Sequence, residues 1–232
     1  MIPWLRPGDD FPPLTRALRD PNGLLAAGGD LSTQTLVNAY RQGIFPWFSE
    51  DDPILWWSPD PRMVLFPAEL HLTRSVRKAI RATTFEITAD RAFTHVVAAC
   101  QEPRGGQSGT WITEQMVAAY SELHRAGYAH SIETWMDGKL AGGLYGVAIG
   151  RVFYGESMFT RVTNASKFAL IALARQLQAW NFGVIDCQMR TRHLASFGAR
   201  EIPRAEFAQR LTELVDYAPV RAPWQIAVDA CL

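Results

Sequence analysis

Hydrophobic positions along the chain follow two different periods, and together they predict both helices and strands. Apolar residues at helical spacing, several preceded by capping residues, predict helices over 33–41, 73–81, 92–100, 113–124, 165–180, 191–197 and 203–214. Short apolar or alternating runs predict strands over 63–66, 85–88, 131–135, 139–148, 153–159 and 184–189. The last two strands flank the long helix, so we expect an α+β fold whose mixed sheet contains at least one parallel pair.

The first 62 residues differ in amino-acid composition from the rest of the chain. They hold nine of the 14 prolines and four of the eight tryptophans, and 33–41 is the helix predicted among them. We therefore predict a small aromatic and proline-rich N-terminal domain over residues 1–62. It should pack on a larger mixed-sheet domain over residues 63–232.

Composition narrows the classes of function. The chain is 48% hydrophobic, which is ample for a packed core, and its 23 basic and 23 acidic residues give a formal net charge of zero. Contact with nucleic acid would then depend on local basic patches. The sequence has three cysteines without a C-x-x-C pair, no signal peptide and no run of about 18 apolar residues. We expect a soluble, cytoplasmic monomer that binds neither membrane nor metal.

One predicted helix concentrates positive charge. The segment 73–81 carries Arg74, Arg77, Lys78 and Arg81, and no acidic residue offsets them three or four positions later. A solvated helix face is the ordinary explanation of such a run. Unbalanced basic side chains are also typical of contacts with nucleic-acid phosphates, and we predict that role for these four residues.

Polar residues interrupt two of the predicted strands, where a buried strand normally carries Val or Ile. Because side chains alternate between the faces of a strand, Tyr154, Glu156 and Met158 should share one face, as should Asp186 and Gln188. A carboxylate inside a sheet is costly unless it is paired or hydrogen-bonded. Two explanations stay open: a reactive site, or a polar network that ties the core together.

Several common catalytic motifs are incomplete in this sequence. The loop over 104–110 lacks the Gly-Lys-Ser/Thr ending of a phosphate-binding loop, and the run over 155–159 lacks the second glycine of a serine-hydrolase elbow. The strand–helix–strand order resembles the acetyltransferase-type fold. However, the turn over 160–166 has no glycine to grip the pyrophosphate of coenzyme A. A coenzyme A-dependent N-acyltransferase is therefore kept as the alternative function.

A series of short motifs resembles those of the leucyl/phenylalanyl-tRNA–protein transferases. In this chain they read PNGLL at 21–25, GGDLS at 28–32, GIFPWF at 43–48, WWSPDPR at 56–62, GTWI at 109–112, AHSIE at 129–133, GGLYG at 142–146, GESMF at 155–159, NASK at 164–167, IDCQ at 185–188 and SFGA at 196–199. The matches occur in order and cover most of the chain. Together they are far more specific than any one of them.

This resemblance implies a fold and an activity. Members of the family have an N-terminal domain and an acetyltransferase-like (GNAT-type) domain, and they use no metal or coenzyme. They move Leu or Phe, with Met as a further candidate, from aminoacyl-tRNA to the N-terminal α-amine of proteins that begin with Arg or Lys. The product is a degradation signal.

The resemblance also implies roles for individual residues. The residues expected to hold the terminal adenosine of the tRNA are Trp47 and Trp111. Those expected to line the amino-acid pocket are Leu144, Phe153, Met158 and Ile185. The catalytic candidates are Asp186, Gln188 and Glu156, and the basic helix over 73–81 would contact tRNA phosphates.

The chemistry of the implied reaction suits these residue types. An aminoacyl ester is already activated, and an α-amine has a pKa of about 7.7–8.0, so positioning and a modest base suffice. Asp186 would take or relay the proton of the amine while Gln188 orients the ester. In a rival mechanism the neighbouring ribose hydroxyl of the tRNA shuttles the proton, and Asp186 acts only through its charge. A non-catalytic RNA-binding module that uses the basic helix is a third hypothesis.

Overall fold

The computed structural model describes residues 2–102 and 112–226. The helices are α1 (Thr33–Arg41), α2 (Arg74–Ala82), α3 (Phe93–Gln101), α4 (Glu114–Arg125), α5 (Ala165–Ala179), α6 (Arg192–Ala195) and α7 (Arg204–Leu214). The strands are β1 (Trp4–Leu5), β2 (Leu24–Gly28), β3 (Phe45–Pro46), β4 (Leu55–Trp57), β5 (Arg62–Leu65), β6 (Glu86–Ala89), β7 (Ala129–Met136), β8 (Lys139–Ile149), β9 (Val152–Thr160), β10 (Val184–Asp186) and β11 (Arg200–Ile202). The seven helices predicted from periodicity are all present, close to their expected bounds.

The strands form two sheets. The larger has the order β11-β5-β10-β9-β8-β7-β6, and within it β9 and β10 pair in parallel while their other neighbours pair antiparallel. The predicted mixed α+β architecture is therefore confirmed. Its parallel pair consists of β9 and β10, the strands that precede and follow the long helix α5. The smaller sheet has the order β1-β2-β4-β3 and takes its strands from residues 4–57.

The smaller sheet shares a hydrophobic core with one face of the larger sheet. A single buried cluster joins Leu25 and Trp56 of the N-terminal region to Val147 of β8 and Phe207 of α7. Trp56 also donates its indole N–H to the carbonyl of Gly28 over 2.8 Å, which satisfies its polar atom inside this core. The N-terminal region therefore forms a layer on the larger sheet, and the division at residue 62 stays a prediction.

Helices α2 and α5 cover the opposite face of the larger sheet. Eleven of the 15 residues of α5 are buried, as expected for a helix with a broad apolar face. In α2, Val76 and Ile80 lie four positions apart and point into the same cluster. The two layers therefore cover the larger sheet on both faces.

A bulge between β8 and β9 overturns the predicted alternation of side chains along β9. Tyr145 pairs with Ser157 and the next residue, Gly146, pairs with Gly155, so Glu156 is an extra residue. Consequently Tyr154 packs in the cluster shared with the N-terminal layer, while Met158 packs in the cluster around α5. The two do not share a face.

Gly146 is required at this bulge. A Cβ atom there would lie 2.2 Å from the carbonyl oxygen of Tyr154 and 2.6 Å from the ring of Phe153. The close approach of β8 and β9 around the bulge thus depends on a residue without a side chain.

The second polar strand is shorter than predicted. The run over 184–189 is a strand only as far as Asp186, and Gln188 takes a left-handed backbone conformation with φ of 53°. The chain therefore turns after Asp186, and Gln188 is not its strand neighbour.

Candidate active site

A cavity of about 870 Å³ opens where β9 and β10 separate. The two strands pair from Val152 and Val184 as far as Tyr154 and Asp186, after which β10 ends and β9 continues to Thr160. Residues beyond the last pair line the cavity, and so does the first half of α5. Its volume is in the range typical of small-molecule sites.

One part of the cavity is apolar. The four residues predicted for the amino-acid pocket all line it, together with two leucines of α5: Leu144, Phe153, Met158, Ile185, Leu170 and Leu173. The structure thus brings the four together from three strands. The two leucines were missed because they are part of a broad apolar helix face in which no position stands out. The binding of an amino acid by these residues stays a prediction.

Glu156 reaches the cavity from the bulge and is held by two tyrosines. Tyr40 of α1 donates to its Oε1 and Tyr120 of α4 donates to its Oε2, each over 2.8 Å, and the two hydroxyl oxygens lie 2.6 Å apart. The Gln188 amide donates to Oε1 over 3.4 Å. Burial raises the pKa of Glu156 to about 7, although the two tyrosine hydrogen bonds oppose that shift. Glu156 can therefore gain or lose a proton near neutral pH.

Asp186 is paired with an arginine that sequence reasoning missed. Both side chains are fully buried, and Arg62 donates from Nε to Oδ1 over 2.8 Å and from Nη2 to Oδ2 over 2.6 Å. The backbone N–H of Gln188 also donates to Oδ1, over 3.0 Å. Both carboxylate oxygens are therefore occupied within the protein. Asp186 and Gln188 do lie together, as predicted, but through this turn rather than along one strand face.

Arg62 connects the N-terminal layer to the larger sheet. Its Nη1 donates to the carbonyl of Gly43 over 3.0 Å, and its guanidinium lies over the rings of Phe45 and Phe207 at 4.9 and 4.8 Å. The bidentate pair with Asp186 thus fixes the start of β5, the end of β10 and the loop after α1 relative to one another.

The sequence contained little evidence that the two tyrosines and Arg62 belong to the site. Tyr120 falls at helical spacing with other apolar residues of α4, and Tyr40 lies in a predicted helix, so both read as ordinary core positions. Arg62 is the last residue of the motif over 56–62, and its place in that motif was the one sequence feature that pointed to it.

Trp47 and the four basic residues of α2, which were predicted to contact tRNA, lie outside the cavity lining. Trp47 is 39% exposed on the smaller sheet, where its ring meets that of Trp57 edge-on at 5.5 Å. The four basic residues of α2 are exposed, and none forms an ion pair with another described residue. Trp111 lies outside the described residues.

The described residues provide neither a metal-binding cluster nor a membrane-spanning helix. No cluster of three or more His, Cys, Asp or Glu side chains in residues 2–102 and 112–226 is arranged to hold a metal ion. In the same part of the chain no helix has the length and hydropathy needed to span a membrane.

Comparison with known proteins identifies relatives across nearly the whole chain. Residues 64–212 match the family model described as leucyl/phenylalanyl-tRNA protein transferase, and residues 29–60 match the model of its N-terminal domain. A protein of Nitrosospira multiformis named leucyl/phenylalanyl-tRNA–protein transferase is 63% identical over 97% of each chain. Proteins of the same name are 64% identical in Thiobacillus denitrificans, over 92% of this chain and 94% of that one, and 57% identical in Pseudomonas fluorescens, over 97% and 99%.

Solved structures give a weaker match. The structure of L-PGS from Bacillus licheniformis aligns with a TM-score of 0.38 and 10% identity over 85% of this chain and 63% of that one. That similarity carries no argument about fold or function. The sequence relatives and the family models are decisive: this chain belongs to the leucyl/phenylalanyl-tRNA protein transferase family.

Proposed function

We propose that this chain transfers Leu or Phe from aminoacyl-tRNA to the N-terminal α-amine of proteins that begin with Arg or Lys. The observation that carries the proposal is the cavity between β9 and β10. It combines an apolar part, suited to a Leu or Phe side chain, with Glu156, a carboxylate whose pKa lies at about 7. Among the described residues Glu156 has no basic ion-pair partner. A cationic acceptor would therefore be attracted to it.

The reaction needs a proton acceptor for the attacking amine, and Glu156 suits that role best. Asp186 is fully buried in a bidentate ion pair with Arg62, whereas the side-chain donors to Glu156 are uncharged and Glu156 is partly exposed to the cavity. When the amine attacks the ester carbonyl, a C–N bond forms and the ribose oxygen leaves. Glu156 takes the amine proton, which is then available to the leaving hydroxyl.

Gln188 and Asp186 support this chemistry from the turn after β10. The Gln188 amide contacts Glu156, so it can orient the carboxylate or stabilise the tetrahedral intermediate. Asp186 acts as a positioning residue, because it holds the backbone N–H of Gln188 and is itself held by Arg62. In the rival mechanism a tRNA ribose hydroxyl shuttles the proton, and the carboxylate that then contributes only charge is Glu156 in this proposal, rather than Asp186 as expected from the sequence.

The arrangement of β9, α5 and β10 supports an acetyltransferase-like (GNAT-type) fold. Two parallel strands that separate at a cavity, with the connecting helix on one face, are the feature on which that likeness rests. The turn over 160–166 still lacks the glycines that would grip coenzyme A. We further propose that the protein acts as a cytoplasmic monomer, with the division between its domains near residue 62.

A transfer assay tests the proposed function. Labelled leucyl-tRNA is incubated with the protein and with peptides that begin with Arg, Lys or Ala, and with an acetylated Arg peptide, in the absence of coenzyme A. We expect label on the Arg and Lys peptides and none on the other two. Binding of the tRNA without transfer would instead indicate an RNA-binding module, and transfer that requires coenzyme A would indicate an N-acyltransferase.

The basic face of α2 should contribute to tRNA affinity through phosphate contacts. Replacing Arg74, Arg77 and Lys78 together with Ala should weaken tRNA binding and reduce the slope of log K against log salt by about 0.7–0.9 for each lost contact. Lys139→Ala, at the exposed β7–β8 turn, is the matched control and should leave the slope unchanged. An unaltered slope in the triple variant would assign α2 to an ordinary solvated face.

Trp47 should provide a stacking surface for the terminal adenine. Stacking of a base on an aromatic ring is typically worth about 1–3 kcal/mol, so Trp47→Ala should raise KM for aminoacyl-tRNA and for a short aminoacyl-adenosine to a similar extent. Trp4→Ala is the control, since Trp4 is 68% exposed on the same sheet. A lower melting temperature with normal KM would show that Trp47 serves only the fold.

A further inference from the structure

A second polar cluster lines the same cavity. It consists of Lys167, in the first turn of α5, and His193, in α6. Lys167 Nζ donates to Asn164 Oδ1 over 2.9 Å, and His193 is half-buried against the ring of Phe197. Neither side chain has a part in the transfer chemistry of Glu156.

Asn164 lies at the N-cap position of α5, but its side chain is used differently. It has a left-handed backbone conformation with φ of 71°, and its side chain makes no capping hydrogen bond. Its amide oxygen accepts from Lys167 instead, which directs the ammonium group along the start of the helix.

The cluster has unmatched positive charge and an unmatched hydrogen-bonding atom. Lys167 forms no ion pair with a described residue, and the first turn of α5 contains no acidic residue. His193 Nε2 is buried and has no hydrogen-bond partner within residues 2–102 and 112–226. Burial, and secondarily Lys167, lowers the pKa of His193, so its ring is neutral at neutral pH and can carry an Nε2–H donor. Such a pair of groups is suited to an anion.

The other cation at this end of the cavity is already paired. Arg161 also lines the cavity, but its Nη2 donates to Glu102 over 2.5 Å. Among the described residues that line the cavity, Lys167 is therefore the basic residue whose charge is available to a ligand.

The position of the cluster along α5 indicates which anion it would take. Lys167, Leu170 and Leu173 line the cavity at three-residue steps, so the ammonium-bearing residue and the far leucine are roughly 9 Å apart along the helix axis. Under the proposed function, on which this inference rests, the amino-acid side chain occupies the leucine end. The ribose follows it through the ester bond, and the nearest anion of the donor is the phosphate on that ribose.

We propose that Lys167 and His193 form a phosphate subsite that binds the phosphodiester joining the terminal adenosine to the rest of the tRNA. Lys167 supplies the charge, and the Nε2–H of His193 supplies a directed hydrogen bond. The subsite would fix the ribose, and with it the ester, relative to the attacking amine.

Two minimal donors test this subsite. One is leucyl-adenosine, with Leu esterified to the ribose, and the other is the same compound with a 5′-phosphate. With the wild-type protein the phosphate should raise kcat/KM by roughly tenfold, as expected for a charge-assisted hydrogen bond. Lys167→Ala should abolish that advantage while leaving leucyl-adenosine unaffected, Lys167→Arg should retain part of it, and His193→Gln should reduce it.

Another lysine provides the matched control. Lys139→Ala, on the β7–β8 turn, should keep the full phosphate advantage, because Lys139 does not line the cavity and has no proposed role in binding. Inhibition of transfer from full leucyl-tRNA gives an independent measurement: adenosine 5′-monophosphate should inhibit the wild type roughly tenfold better than adenosine. Lys167→Ala should remove that difference.

Several results would overturn the subsite. Equal use of the two donors by the wild type would do so, as would a loss in Lys167→Ala that is the same for both donors. Inhibition by inorganic phosphate as strong as that by the nucleotide would show a general anion site rather than one for the donor. Failure of the proposed function has a different signature, which is no transfer from full leucyl-tRNA by the wild-type protein.

Discussion

Replacing Asp186 with Asn should lower the free energy of unfolding by about 3–5 kcal/mol, because the change leaves the fully buried guanidinium of Arg62 without a counter-ion. The substitution preserves the size of the side chain and one hydrogen-bond acceptor. The loss of stability therefore reflects the missing charge rather than a change in packing. Urea unfolding followed by tryptophan fluorescence measures it as a lower midpoint at an unchanged slope.

Two further variants make this result specific. Asp216→Asn is the matched control, since Asp216 pairs with Arg41 at the exposed surface and should cost no more than about 1 kcal/mol. Replacing Arg62 by Met and Asp186 by Leu together should restore much of the stability lost in Asp186→Asn. If Asp186→Asn unfolds at the same urea concentration as Asp216→Asn, the buried pair does not stabilise the fold.

Replacing Glu156 with Gln should reduce kcat by about 10²–10⁴-fold, the range typical of a lost general base. The same variant should be more stable than the wild type at pH 8. Burial raises the folded-state pKa of Glu156 from 4.5 to about 7, so its favourable contribution is present below the unfolded pKa and is lost as pH rises through the folded pKa. Glutamine carries no charge and avoids that loss.

Measurements of kcat and melting temperature at pH 5 and pH 8 check both effects. Glu102→Gln is the control, because Glu102 also lines the cavity but is exposed and paired with Arg161. A Glu156→Gln variant that is less stable at pH 8 and transfers Leu at the normal rate would assign this carboxylate to the scaffold.

Periodicity was sufficient to predict the helices and most strands of the larger sheet. In α2 and α5 the apolar residues recur at helical spacing, and a strand–helix–strand order allows few arrangements, so the parallel pair of β9 and β10 followed. The four apolar residues Leu144, Phe153, Met158 and Ile185 were expected at one site from the family resemblance alone, and all four line the cavity. Each belongs to a strand that was recognisable from its own residues.

The polar part of the site depended on features that no local pattern contains. A bulge changes the face of every later residue in β9, and the close approach of β8 and β9 beside it leaves no room for a side chain at Gly146. The pairing of Asp186 with Arg62 joins residues 124 positions apart, and Tyr40 approaches Glu156 across 116 positions. Such pairs are visible only once the layers are assembled. The predicted roles of Trp47 and of the basic helix remain predictions.

The proton-accepting role of Glu156 is tested most directly by transfer rates as a function of pH. Single-turnover transfer from leucyl-tRNA to an Arg peptide is measured for the wild type and for Glu156→Gln between pH 5.5 and 9. At each pH the wild-type rate is divided by the rate of the variant. The acceptor amine titrates identically in both reactions and cancels. The quotient should rise about tenfold per pH unit below about pH 7 and then level off, in step with ionisation of Glu156. A quotient that is close to one and flat across the range would contradict this role and favour the ribose hydroxyl of the tRNA as the proton carrier.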